Sequence, residues 1–175
     1  MSDLIDLIDL DGTADSLSGK MIMGVDPGRN KIGWALTTSK GSLILSGICL
    51  VSELDVFLKA LNRPANEWEK ELAVWTRERQ SFVRKVGLGY VALGNGTGSR
   101  EIESWFARFD LKIVLIEEKG TTLTARDLYW RFHSPTWWQK CLPRSLWIPP
   151  RKVDDLAAWS IALRSIRAPV FAGET

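Results

Sequence analysis

Three closely spaced strand-like runs, followed by a regular alternation of strands and helices, predict a mixed α/β domain whose first strands are antiparallel and later ones parallel. The 175 residues suffice for one such domain, and at 45% apolar and 25% charged they can bury a core. Apolar runs all fall short of the roughly 18 residues that a membrane-spanning helix needs, so no membrane partner is expected.

In chain order, residues 1–20 read as an acidic tail with five Asp and one Lys. Its Leu4-Ile5-Asp6-Leu7-Ile8-Asp9-Leu10 repeat has a period of three, which drifts around a 3.6-residue helix and leaves no lasting apolar face. The tail lacks the basic and long apolar regions of a secretory signal, so a cytoplasmic protein is expected, with Cys49 and Cys141 as reduced thiols. Met21–Val25 reads as a buried strand ended by the turn signal Asp26-Pro27-Gly28, and Lys31–Ser39 and Ser42–Val51 follow within hairpin distance. Trp68, Leu72, Trp75, Phe82 and Val86 at helical spacing predict a long surface helix over Glu67–Val86. Tyr90–Gly94 is a short apolar strand, Ser99 a candidate cap for a helix over Glu101–Phe109, and Lys112–Ile116 a strand entering a helix at Thr121-Thr122. Residues 133–150, rich in Pro and Trp, read as an ordered loop, and Pro149-Pro150 opens a last helix over Val153–Arg167. The expectation is a single domain over 21–168, with five strands, helices on both faces and a C-terminal tail at 169–175.

One histidine and two distant cysteines exclude a structural zinc site, and a Ser–His–Asp triad would rest on His133 alone, which leaves carboxylates as the main chemical resource. Asp26 directly follows an apolar strand, where an ionised carboxylate needs a cation or donors, although Asp-Pro-Gly is also ordinary turn punctuation. Glu117 and Glu118 stand in the same way at the end of another strand, or simply form a solvated strand end. Asp154 and Asp155 open the final helix, where the macrodipole favours acids whatever their function. Gathered at one edge of a sheet, these acids would stay ionised around one or two Mg²⁺ or Mn²⁺ ions, which prefer all-oxygen ligation.

Outside the tail, 22 basic residues face 16 acidic ones, a balance that suits a polyanionic partner. Arg29 and Lys31 are candidate phosphate contacts or plain turn charges, and Gly94, Gly96 and Gly98 ahead of a helix form a possible phosphate cradle. Six basic residues over 126–152 (Arg126, Arg131, Lys140, Arg144, Arg151 and Lys152) are interleaved with Tyr129, Trp130, Phe132, Trp137, Trp138 and Trp147. That mixture suits gripping phosphates and stacking on unpaired bases, while some of the aromatic residues would serve equally as core.

The run Met23-Gly24-Val25-Asp26-Pro27-Gly28-Arg29-Asn30-Lys31-Ile32-Gly33-Trp34-Ala35 resembles the opening motif of the RuvC/YqgF branch of the RNase H-like superfamily. Ile116-Glu117-Glu118-Lys119-Gly120-Thr121-Thr122 resembles that family's second acidic segment, and Val153-Asp154-Asp155-Leu156-Ala157-Ala158 its last. Leu93-Gly94-Asn95-Gly96-Thr97-Gly98-Ser99 resembles the glycine-rich loop of the YqgF-like domain in Tex proteins. The resemblance implies an RNase H-like fold, with three antiparallel strands and then two parallel ones. It implies that Asp26, Glu118 and Asp154 are catalytic metal ligands; beside them, Arg29, Lys31, Asn95, Gly96 and Thr97 are the substrate contacts expected from the turn charges and the glycine-rich loop. The implied partner is nucleic acid, as structured RNA such as the 5′ end of pre-16S rRNA or as branched DNA such as a Holliday junction. Glu117, Lys119 and Gly120 depart from the usual Asp, Arg and apolar residue, which also admits a YqgF-like module that binds without cutting. A sugar-kinase or actin-like phosphate-binding protein would need two such domains, and both a monomer and a homodimer remain compatible with the sequence.

Overall fold

A computed structural model describes residues 20–80, 87–117, 121–135, 137, 139–143 and 147–167. Its strands are β1 (Met21–Pro27), β2 (Lys31–Thr37), β3 (Leu43–Leu50), β4 (Thr76–Arg79), β5 (Leu88–Gly94) and β6 (Ile113–Ile116). Its helices are α1 (Leu54–Leu61), α2 (Trp68–Glu71), α3 (Ser99–Ala107), α4 (Thr121–Phe132) and α5 (Asp154–Arg167). The expected tails at 1–20 and 169–175 lie outside the described residues, apart from Lys20.

The strands form one open sheet in the order β4-β3-β2-β1-β5-β6. β1 to β4 pair antiparallel in sequence, while β5 runs parallel to β1 and β6 parallel to β5. The antiparallel-then-parallel arrangement expected from the element pattern is present, but the sheet has six strands where five were expected. The added strand, β4, comes from a region whose spacing predicts a long helix. There the structure has 3₁₀ turns at Ala65–Glu67 and Ala73–Trp75 around the single turn of α2, then an extended run pairing Ser46 with Glu78 and Gly47 with Thr76. Trp68 and Leu72 are buried, as their periodicity requires, so the apolar signal marked core correctly and helix incorrectly. Tertiary pairing overrides local propensity at this point: β3 offers a free edge, and the backbone of Gly47 lets the Trp75 carbonyl approach more closely than any side chain would allow. The charged Thr-Arg-Glu-Arg strand also suits an outer edge, where it discourages further pairing. Phe82 and Val86, the end of the expected helix, lie outside the described residues.

Residues of β1 alternate between two cores, as a strand covered on both faces must. Met21, Met23 and Val25 point to one side, where Trp34, Leu93, Phe57 and Phe106 close a core beneath α1 and α3. α1 is not marked out by the apolar spacing discussed above, yet it contributes Leu54, Phe57, Leu58, Ala60 and Leu61 to burial. Ile22 points to the other side, where α4 and α5 cover the sheet through Ala125, Leu128, Trp159 and Ile161. Cys49 faces the first core, and burial, reinforced by the Glu53 charge, pushes its thiol up to about 12, so it is inert at neutral pH. Among the described residues no helix is long and apolar enough to cross a membrane.

α5 meets the sheet without intervening side chains. A Cβ on Gly24 would fall 2.0 Å from the Ala158 carbonyl oxygen and 3.0 Å from the Ala162 Cβ, and one on Gly33 would fall 2.1 Å from the Asp154 carbonyl oxygen. Asp154, Ala158 and Ala162 recur every four residues, so one narrow face of α5 lies against two glycines. Gly24→Ala should therefore lose about 1–3 kcal/mol, because helix backbone cannot give way as a side-chain tip can. Gly87→Ala, with nothing within 4 Å of the new Cβ, should stay within about 0.5 kcal/mol of wild type. Urea denaturation of both variants checks the contrast; equal effects would contradict the close packing.

Candidate functional site at the sheet edge

The parallel strands β1, β5 and β6 end at one edge because their register aligns Val25 with Leu93 and Leu93 with Leu115. The next residue of β1 is Asp26, half-buried and on the face that α5 covers, with Gly33 opposite it in β2. Since Gly33 also touches the start of α5, the carboxylate-bearing first residue of that helix, Asp154, arrives beside Asp26. The two acids and the β1–β2 turn enclose a concavity of about 280 Å³ that also includes Arg29, Asn30 and Lys31.

Within it Lys31 Nζ donates to Asp154 Oδ2 as an ion pair, both side chains being about a third exposed (31% and 32%). Lys31, expected to meet phosphate, thus faces a carboxylate instead, while Arg29 projects into solvent. The glycine-rich loop lies alongside: Gly98, in the left-handed conformation with φ 90°, packs against the Gly28 carbonyl. Gly98 caps α3 and Ser99, the expected cap, is its first residue. The Ser99 amide is already bonded to the Gly96 carbonyl at 3.1 Å, which leaves the predicted cradle with one donor fewer. Asn95, Gly96 and Thr97 belong to this loop and do not line the concavity. Asn95 follows β5, with its amide bonded to the Ile116 carbonyl of β6 at 3.0 Å. Glu117 is exposed, its carbonyl accepting from Arg164 at 2.8 Å, and Glu118, the expected second acid, lies outside the described residues.

Asp155 behaves unlike its neighbour. It is fully buried, accepting from Arg151 at 2.7 Å (Oδ1) and 3.1 Å (Oδ2) and from Ser46 at 3.1 Å. The same guanidinium donates to Glu78 Oε1 at 2.5 Å, and that oxygen lies 2.9 Å from His133 Nε2. Burial alone would lower the Arg151 guanidinium, but hydrogen bonds to Asp155 and Glu78, and then their charges, outweigh it and raise it above its ordinary range. The cluster ties α5, β3, β4 and the end of α4 together, and so fixes where α5 begins. Arg151, counted as a phosphate-gripping cation in the sequence, is committed to this internal role. The only advance signal was the spacing of four between Arg151 and Asp155; nothing local pointed to Glu78, Ser46 or His133.

Chemically, Asp26 and Asp154 supply hard carboxylate oxygens of the kind that Mg²⁺ or Mn²⁺ takes, so the donor chemistry fits such an ion once Asp154 is released from Lys31. Among the described residues no group of three or more His, Cys, Asp or Glu is arranged to hold a metal ion. Compared with models of known protein families and with curated proteins, the sequence matches none.

The two adjacent acids should respond unequally to substitution. Asp155→Ala would leave the half-buried Arg151 with Glu78 as its remaining carboxylate partner and cost up to about 3–5 kcal/mol of folding stability. Asp154→Asn, which removes a partly solvated pair, should cost less than about 1 kcal/mol. Chemical denaturation measures both, and a larger loss at Asp154 would reverse the assignment of anchor and site residue.

Proposed function

We propose that this chain is a divalent-cation-dependent nuclease of the RuvC/YqgF branch of the RNase H-like superfamily, hydrolysing phosphodiester bonds in structured nucleic acid. The observation that carries the reading is the meeting of Asp26, at the end of β1, with Asp154, at the start of α5, in one concavity. Support comes from the motifs quoted above and from the sequence of three antiparallel strands and two parallel ones within the six-stranded sheet. The resemblance favours structured RNA, with the 5′ end of pre-16S rRNA as the specific substrate and four-way DNA junctions as the alternative.

In this reading Asp26 and Asp154 hold one or two Mg²⁺ or Mn²⁺ ions, and Glu118 completes the ligand set by its position in the family motif. When bound, the cation lowers the pKa of water and offsets charge developing on the phosphate and the leaving oxygen. Lys31 exchanges its bond with Asp154 for one with a phosphate oxygen, so the substrate's charge releases the carboxylate to its metal-binding role. Arg29 contributes a second phosphate contact, and Asn95, Gly96 and Thr97 line the neighbouring approach beside Gly28.

The Lys31–Asp154 pair also favours a second reading, a YqgF-like module that binds nucleic acid without cutting it, because an ammonium group already balances one of the two acids.

Incubation of the purified protein with pre-16S rRNA fragments and with four-way DNA junctions separates the two. Cleavage should require Mg²⁺ or Mn²⁺. Asp26→Asn should lower its rate by at least about 100-fold, since even residues that merely orient metal ligands are worth roughly 10–100-fold. Wild-type binding with no cleavage in either metal would establish the module instead, and undiminished cleavage by Asp26→Asn would exclude the metal-ligand role.

A further inference from the structure

α4 and the segment joining it to α5 sort their described aromatic residues into two groups. Tyr129 is buried, Phe132 packs on Trp159 with ring centres 5.4 Å apart, and Trp130 meets Trp147 edge-on at 5.7 Å. The indole N–H of Trp130 donates to the Trp147 carbonyl at 3.3 Å, and that of Trp147 to the Leu142 carbonyl at 3.1 Å. These side chains are structural, because they staple the segment to the body and satisfy its backbone. Trp137 is the opposite case. It is 80% exposed, the one aromatic among the large apolar side chains left mostly in water in the described residues.

Two hydrogen bonds lie close to Trp137 in the chain. The Leu142 amide bonds to the Gln139 carbonyl at 3.0 Å, closing a 3₁₀ turn over Gln139–Cys141, and the Cys141 thiol donates to the Trp137 carbonyl at 3.6 Å. The Trp137 backbone is thus tied to that turn while its indole stands in solvent. Lys140, exposed, stands three residues further along that turn, and exposed Lys152 lies where the segment runs into Asp154. Lysine is depleted from the cores of protein–protein interfaces, whereas an exposed aromatic plane beside ammonium groups is the usual pattern for stacking a base while binding its phosphate.

We infer that Trp137 is a stacking platform for an unpaired base, with Lys140 binding the adjoining phosphate, so that the protein selects nucleic acid containing single-stranded positions over uninterrupted duplex. The inference rests on the nucleic-acid reading above and specifies its substrate class. Stacking needs an exposed base face, which a duplex conceals, whereas phosphate contacts are available from both forms.

Fluorescein-labelled oligoadenylate, and the same strand paired with oligouridylate, are titrated with the full chain in EDTA and followed by anisotropy. Trp137→Ala should weaken binding of the single strand by roughly 5- to 150-fold, the range that one base–aromatic stack supplies, and leave duplex binding unchanged. Trp137→Phe, which keeps an aromatic face, should retain most of the affinity. Unchanged single-strand binding by Trp137→Ala, or equal losses on both ligands, would overturn the platform while leaving the nuclease reading of Asp26 and Asp154 intact. Failure of the wild type to bind either ligand would overturn both. Wild-type self-association abolished in Trp137→Ala, with oligoadenylate binding unaltered, would assign the indole to a protein contact and overturn the platform as well.

Discussion

α5 lies so close to β1 and β2 that only hydrogen atoms fit at Gly24 and Gly33, and the placement of the site follows from that contact. A helix normally stands off a sheet by the length of its side chains. Here the carbonyls of Asp154 and Ala158 rest where two Cβ atoms would be, so the helix cannot slide along or rotate over the strands without collision. Because Gly33 is also the register partner of Asp26, the constraint that seats the helix is the one that brings its first carboxylate to the end of β1. Packing and chemistry are therefore the same geometrical fact at this edge of the sheet.

The adjacent acids Asp154 and Asp155 show how the surroundings divide two identical side chains between separate tasks. Successive residues on a helix point about 100° apart, so one of the pair faces inward when the other faces the concavity. Asp155 is stripped of water, a state that is strongly unfavourable for an ion unless donors replace the lost solvent, and Arg151 and Ser46 supply them. Asp154 keeps about a third of its exposure and shares a cation that can exchange with solvent ions or a phosphate. The first arrangement fixes the helix start, and the second leaves a carboxylate free to change partner. Glu78 and His133 extend the anchor to the sheet's outer edge, so β4, absent from the expected five-stranded sheet, has a role in holding α5 in place.

Much of this was legible in the sequence where the signal is local. Buried strands, their turns and the last helix follow from apolar runs and from Pro and Gly punctuation, and Asp26 stands out because an acid so rarely ends an apolar run without a reason. Long-range choices were not legible. Trp68, Leu72 and Trp75 have helical spacing, and two of them are buried, yet the following residues were taken up by the free edge of β3, a partner that no local window contains. Arg151 and Lys31 looked like phosphate contacts because a sequence shows charge without showing which acid has been folded against it. The phase of α5 decides between Asp154 and Asp155, and that phase depends on two glycines more than a hundred residues upstream.

The central claim is that Asp26 and Asp154 act as one divalent-cation site. Titration of the protein with Mn²⁺, read by the loss of the free-ion electron paramagnetic resonance signal, tests it without reference to any substrate. The account predicts binding by wild type and its loss in both Asp26→Asn and Asp154→Asn, with the fold of each preserved. No Mn²⁺ uptake by the wild type, or uptake that neither substitution diminishes, would contradict it.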